Sequence, residues 1–136
     1  MSQENVEAVR AAFEAWNAGE LPDVISRFHP GIVYHPRADE PDPNPHVGRD
    51  AYERLISGFL DSFSEVTFEV REVIDAGDHV ITSTVLHAVL HGQEGASGAG
   101  VGDTYVFVYK LRDGLVVAGW EYRTKQEALE AVGLRE

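Results

Sequence analysis

Thr104-Tyr105-Val106-Phe107-Val108-Tyr109-Lys110-Leu111, then Arg112-Asp113-Gly114, then Leu115-Val116-Val117-Ala118-Gly119-Trp120-Glu121-Tyr122-Arg123 reads as two long strands hinged at Asp-Gly. A two-residue hairpin turn needs positive φ, which Asp-Gly between β-branched and aromatic runs supplies. Both faces of the hairpin carry apolar side chains, so neither is a simple wet face. One face is expected to meet a core or pocket, and the other a second surface.

Outward from the hairpin, the chain offers a helix from Ser2 to about Ala18, stopped at Asn17-Ala18-Gly19. Its apolar stripe is Val6, Val9, Phe13 and Trp16. Leu21 to Phe28 reads as a shorter helix with Pro22 in its first turn, and Gly31 to His35 as a short strand ended by Pro36. Residues 36–47 hold four of the six prolines, which excludes helix and central strand and suggests a lid or binding loop. A third helix is expected from Gly48 to about Phe63, with Tyr52, Leu55, Ile56, Phe59 and Phe63 inward. Val66, Phe68 and Val70 alternate as a strand, Asp75 to Asp78 turns it, and a further strand runs from Val80 to about His91. Gly92 to Gly102 is a glycine-rich connection, and Gln126 to Val132 a closing helix stopped by Gly133. No repeat or linker divides residues 1–136, so a single domain is expected. Helices followed by successive strands indicate an α+β fold, a curved antiparallel sheet under helices that leave a cavity between them.

The 136 residues carry 11 basic and 23 acidic side chains, a net charge of −12, without the clustered Lys and Arg that a phosphate backbone needs. Nucleic acid and an anionic membrane surface are therefore not expected partners. The absence of cysteine excludes disulfides and thiolate chemistry. No basic-apolar leader opens the sequence and no run approaches a bilayer span, so a cytoplasmic location is expected.

Several stretches together resemble the nuclear transport factor 2-like superfamily: Phe13 to Leu21, Ile32 to Pro36, Gly48 to Ala51, Val73 to Asp78 and Leu111 to Gly114. The resemblance is strongest to its SnoaL-like and ketosteroid isomerase-like branch. It implies a cone-shaped, cystatin-like α+β fold with three to four helices over the concave face of the sheet. It also implies a homodimer and, in many members, a small-molecule pocket. It does not fix a reaction, because this fold hosts many. The isomerase's carboxylate position falls on His35, its tyrosine donor on Ala12 or Phe13, and its neutral aspartate near Phe107, so its set of groups is not carried over.

His35, held extended by Pro36, is a candidate general base, or else a strand-end histidine bonded to backbone or water. Glu121 and Arg123 share a strand face with Val117 and Gly119, and the resemblance implies that this face points into the pocket, where Arg123 or Tyr105 would stabilise negative charge. The alternative for this charged pair is an internal or rim salt bridge. Gly119 would leave room for a ligand. Phe13, Trp16, Tyr34, Tyr52, Phe59, Phe63, Tyr105 and Phe107 form the expected apolar wall. Trp120 and Tyr122 then face outward with Val116 and Ala118 as a sheet-to-sheet homodimer surface, unless the two faces are exchanged. His87 and His91 stand about 13 Å apart along a strand, too far to share a metal ion. Asp39, Asp42 and His46 read as a solvated acidic loop rather than a cation site. Gly98 to Gly102 precedes a strand, not a helix N-terminus, and so makes no phosphate cradle. No metal and no cofactor is expected. The sequence thus points to binding of a small apolar or amphipathic molecule. If catalytic, the reaction would be cofactor-free proton transfer on a polyketide- or steroid-like ligand (isomerisation, cyclisation or dehydration). The alternative is a ligand sensor or a dimeric interaction module.

Overall fold

The computed structural model describes residues 2–40, 43–91 and 100–133. The order of elements is α1 (Ser2–Asn17), α2 (Leu21–Ser26), β1 (Phe28–His35), β2 (His46–Val47), α3 (Arg49–Leu60), β3 (Phe63–Ala76), β4 (His79–Leu90), β5 (Gly100–Arg112), β6 (Leu115–Tyr122) and α4 (Lys125–Ala131). The strands form one six-stranded sheet in the order β2-β1-β6-β5-β4-β3. Every pairing is antiparallel except β1 with β6, which run parallel.

The hairpin turn takes positive φ at Asp113 (53°) and Gly114 (81°), the mirror-image turn whose twist matches that of the strands. Behind it lies a feature the alternation alone does not show. Lys110 pairs with Ala118 while Leu111 pairs with Val116, so Val117 is an extra residue, a β-bulge. The bulge shifts the side-chain alternation of β6 by one. Val116 is buried in the inner core and Val117 is not, whereas Gly119 and Glu121 keep the inner face. The inward placement expected for Val117 is therefore corrected to Val116.

Helix α1 ends where Gly19 adopts φ 78°, with the Glu20 N–H bonded to the Ala15 carbonyl at 2.9 Å and the Gly19 N–H to Trp16 at 3.0 Å. Asn17 then clamps the edge strand β3. Its amide donates to the Phe68 carbonyl at 2.8 Å and accepts from the Phe68 N–H at 2.9 Å. This side-chain pairing fills hydrogen-bonding capacity that an edge strand would otherwise present.

Four boundaries differ from those expected. Helix α2 stops at Ser26, and Phe28 already belongs to β1, where its ring stacks on Tyr52. Gly48 is the residue before α3, with φ 95°, rather than its first turn. Phe63 opens β3 instead of closing α3, because the helix ends at Leu60. Within the proline-rich segment, His46 and Val47 make a two-residue edge strand opposite Tyr34 and Val33.

Two cores lie on opposite faces of the sheet. The larger packs α1, α2 and α3 against Phe28, Tyr34, Phe68, Phe107, Tyr109 and Val116. The smaller unites Ile81, Val106 and Val108 with Ala128 and Leu129 of α4, and Trp120 and Tyr122 pack against it. Three helices thus cover the inner face, and the fourth lies on the outer one. Thr124 starts α4 by accepting the Glu127 N–H at 3.1 Å, while Glu127 reaches back to the Arg123 N–H at 3.1 Å.

Candidate functional site

Between the inner face of the sheet and helices α1 and α3 lies a cavity of about 310 Å³. Phe13, Trp16, Phe28, Tyr52, Phe59, Phe68, Phe107 and Tyr109 make most of its wall, with Val9, Val24, Ile56 and Val116 between them. The aromatic rings fix one another: Phe13 sits edge-on to Phe68 at 5.8 Å, and Phe107 stacks on Tyr109 at 5.7 Å. Trp16 spends its indole N–H on the Val66 carbonyl at 3.2 Å, leaving its apolar ring on the wall.

The polar groups on this wall are few and clustered. Glu121 accepts a hydrogen bond from the Tyr34 hydroxyl on one carboxyl oxygen and from the Arg37 backbone N–H, at 3.1 Å, on the other. Burial of its carboxylate outweighs both bonds and pushes Glu121 from 4.5 up to about 7. A carboxyl group poised there exchanges a proton readily near neutrality. Burial and then the Glu121 charge hold Tyr34 well above the ordinary phenol range, so it stays a hydroxyl donor. A second pair stands at the proline-rich loop, where the Tyr105 hydroxyl donates to Glu40 at 3.0 Å. Burial, then the Glu40 charge, raises Tyr105 as well.

Arg37 fastens that loop. Its guanidinium lies 4.3 Å from the centre of the Tyr105 ring, donates to the Thr104 carbonyl at 3.0 Å, and pairs with Asp39 at 3.0 Å and Asp103 at 3.3 Å. Only 9% of the residue is exposed. One residue therefore locks the loop through its side chain and steadies Glu121 through its backbone.

Of the sequence-derived site residues, the structure gathers Phe13, Trp16, Tyr34, Tyr52, Phe59, Tyr105, Phe107 and Glu121 on the cavity wall. Four others lie elsewhere. His35 is on the opposite face of β1 from Tyr34, its ring stacked on Trp120 at 5.3 Å and 2°, and burial holds it below its ordinary pKa. Arg123 follows the end of β6, is 68% exposed at the side chain, and approaches Asp39 at 3.9 Å. Phe63 packs against Phe59 at the start of β3 without reaching the cavity. The space beside Gly119 belongs to Tyr34, whose ring would lie 2.9 Å from an added Cβ, so the glycine accommodates a protein side chain instead of a ligand.

Among the polar and aromatic residues of the site, sequence reasoning passed over Arg37, Glu40, Tyr109 and, as part of the wall, Phe28, Phe68 and His46. The one available signal was Arg37 itself, a lone cation ahead of Asp39 and Glu40 in a proline-rich stretch. Asp39 is taken up by Arg37, His46 faces the cavity, and Asp42 lies outside the described residues. Among the described residues, no three His, Asp or Glu side chains gather as metal ligands. Gly92 to Ala99 likewise lies outside the described residues. No helix among the described residues is long and apolar enough to cross a membrane.

A family described as the SnoaL-like domain matches residues 9–119. No curated protein matches the sequence. Among solved structures, AclR, a proposed hydroxylase from Streptomyces galilaeus, is similar at 23% identity and TM-score 0.74, over 98% of each chain. A proposed polyketide cyclase from Xanthomonas campestris pv. campestris is similar at 22% identity and TM-score 0.70, over 96% of this chain and 98% of that one. A nuclear transport factor 2-like protein of unknown function from Burkholderia pseudomallei is similar at 18% identity and TM-score 0.73, over 96% and 98%. At these identities the likeness shows the fold.

Proposed function

Since the chain belongs to the SnoaL-like domain family of the nuclear transport factor 2-like superfamily, we propose that its cavity binds a small apolar or amphipathic molecule and that Glu121 exchanges a proton with it. The observation that carries this reading is the placement of the Glu121 carboxyl group, raised to about 7 and bonded to Tyr34, on a mostly aromatic and aliphatic wall. Two similar structures being a proposed polyketide cyclase and a proposed hydroxylase supports a ring-containing, carbonyl-bearing ligand.

The chemistry is cofactor-free proton transfer. Ionised Glu121 takes a proton from a carbon next to a ligand carbonyl; the C–H bond breaks, an O–H bond forms on Glu121, and the ligand becomes an enolate. Protonated Glu121 then donates to Tyr34, which frees the Tyr34 O–H to turn toward the cavity. Return of the proton at another atom is isomerisation. In cyclisation the enolate carbon attacks a second carbonyl, whose π bond breaks to an alkoxide that takes the proton back from Glu121. In dehydration the enolate expels a β-hydroxyl, which leaves as water with that proton as the C=C bond forms. Glu121 thus takes the role expected of His35, whose ring lies across the sheet.

The bicyclic ketone 2-tetralone tests this directly, because exchange of its acidic C–H for deuterium is read by proton NMR without knowing the natural substrate. Wild type is expected to speed exchange, with a rate that rises as pH passes through about 7. Glu121→Gln is expected to lower that rate by about a hundredfold. Equal rates in the two proteins would remove Glu121 from the chemistry. Binding of 2-tetralone without accelerated exchange would favour the second reading, a ligand sensor, which is consistent with both Glu121 oxygens already holding protein donors.

A further inference from the structure

One polar group on the cavity wall has no work in that scheme. His46 lines the cavity, and its Nε2, covered by neighbouring atoms at the cavity edge, has no hydrogen-bond partner. A buried ring nitrogen left unpaired is uncommon in a folded protein and calls for an explanation. Of the three buried, unpaired side-chain polar atoms among the described residues, this one alone belongs to a residue of the cavity wall. The register shows what stands beside it. β2 pairs with β1 so that His46 stands directly opposite Tyr34, and Tyr34 in turn stands opposite Gly119 on β6, two residues before Glu121. Opposite residues of neighbouring strands share a sheet face. His46, Tyr34 and Glu121 therefore form one polar diagonal across an apolar wall, two strand spacings across and two residues along, or roughly 12 Å long at the backbone.

We propose that His46 Nε2 is the anchor for an oxygen atom of the ligand, a hydroxyl or carbonyl group carried on an otherwise apolar ring system. Tyr34 stands on the strand between this anchor and Glu121, so the ligand lies along the diagonal with its oxygen on His46 and its acidic C–H toward Glu121. The ligand class narrows accordingly, from any apolar molecule to an oxygenated one with a single strongly bonded polar edge. An unsubstituted hydrocarbon would fill the cavity and leave Nε2 unpaired. His46 sits on a two-residue edge strand fixed by its pairing with β1, so the backbone beneath the anchor is held before the ligand arrives and the imidazole ring alone turns to meet it.

The anchor itself shares with the proposed function only the premise that the cavity is a ligand site, and it is tested by binding alone; the direction of the C–H toward Glu121 rests on the proposed function. The probes are 2-naphthol and 2-methylnaphthalene, which match in shape and differ in the hydroxyl group. NMR titration of wild type is expected to show about tenfold tighter binding of 2-naphthol. It is also expected to show a change in the His46 Nε2 nitrogen shift with that probe and not with the hydrocarbon. His46→Leu should bring the two affinities together by weakening 2-naphthol alone. His46→Gln, which keeps a hydrogen-bonding end, should restore part of the preference. A preference that survives in His46→Leu and vanishes in Glu121→Gln would place the hydroxyl on Glu121 and overturn the anchor. No preference in wild type would overturn it too, as would failure of both probes to bind, which removes the cavity as a ligand site. If naphthol binding passes while 2-tetralone exchange fails, the anchor stands and the proton-transfer reading falls.

Discussion

At the scale of single residues, the site depends on how closely Tyr34 can approach Glu121, and Gly119 sets that approach. An added Cβ at 119 would stand 2.9 and 3.1 Å from two carbons of the Tyr34 ring and 3.3 Å from Tyr109. Tyr34 is only 2% exposed and cannot swing clear without displacing its neighbours. Gly119→Ala is therefore expected to cost about 2 kcal/mol in chemical denaturation and to lower 2-tetralone exchange at least about tenfold. A stable, fully active alanine variant would show that the Tyr34–Glu121 contact is not set at position 119. Much of this level is legible in the sequence: type and alternation single out Tyr34, Tyr105, Glu121 and five more of the aromatic wall residues. The misplaced base is not, for a physical reason. Tyr34 and His35 are adjacent on one strand and must face opposite ways, and both types suit a pocket. The choice between them lies in the partner strand, whose Trp120 offers His35 a flat ring on the outer face.

At the scale of elements, the bulge in β6 and the latch on the proline-rich loop position the chemistry. From inward Val116, a regular strand would send Trp120 to the inner face and Glu121 to the outer one. The extra residue Val117 reverses that. Nothing in Leu115-Val116-Val117-Ala118 marks the bulge, since all four residues suit a regular strand, whereas the Asp113-Gly114 turn is plain because its φ values demand those residue types. The latch is similarly hidden. Arg37 reads as a loop cation until Tyr105 and Thr104, some 67 positions away, supply its seat. Arg37→Met keeps the stem and removes the charge. It is expected to cost about 2 kcal/mol, from a buried guanidinium whose two carboxylate partners are themselves half-exposed. It should also speed ligand exchange in the NMR titrations, because the loop carrying Glu40 and Pro36 over the cavity loses its fastening. A loss below about 0.5 kcal/mol would show that the loop stands without the guanidinium.

At the scale of the whole molecule, the two faces of the sheet divide the work, the inner one enclosing the cavity and the outer one carrying α4, Trp120 and Tyr122. Helix α4 covers part of the outer face, which narrows the proposed dimer surface to the region around Trp120, His35 and His79. Wild type is expected to sediment as a dimer and Trp120→Ala as a monomer; an unchanged mass would exclude that surface. The cavity itself leaves a mark on stability that needs no ligand. Between about pH 4.5 and 7 the folded protein keeps the Glu121 proton while the unfolded chain has released it. The folded state then binds more protons, so raising the pH favours unfolding, and the full penalty of about 3 kcal/mol is present above pH 7. Glu121→Gln has no proton to lose, and the titrations of groups not coupled to Glu121 cancel between the two proteins. Their unfolding free energies, measured by urea denaturation from pH 4 to 8, should diverge by about 3 kcal/mol in favour of the variant as pH rises through that window. Parallel curves would mean an ordinary, solvated carboxylate at position 121 and no proton-exchanging cavity.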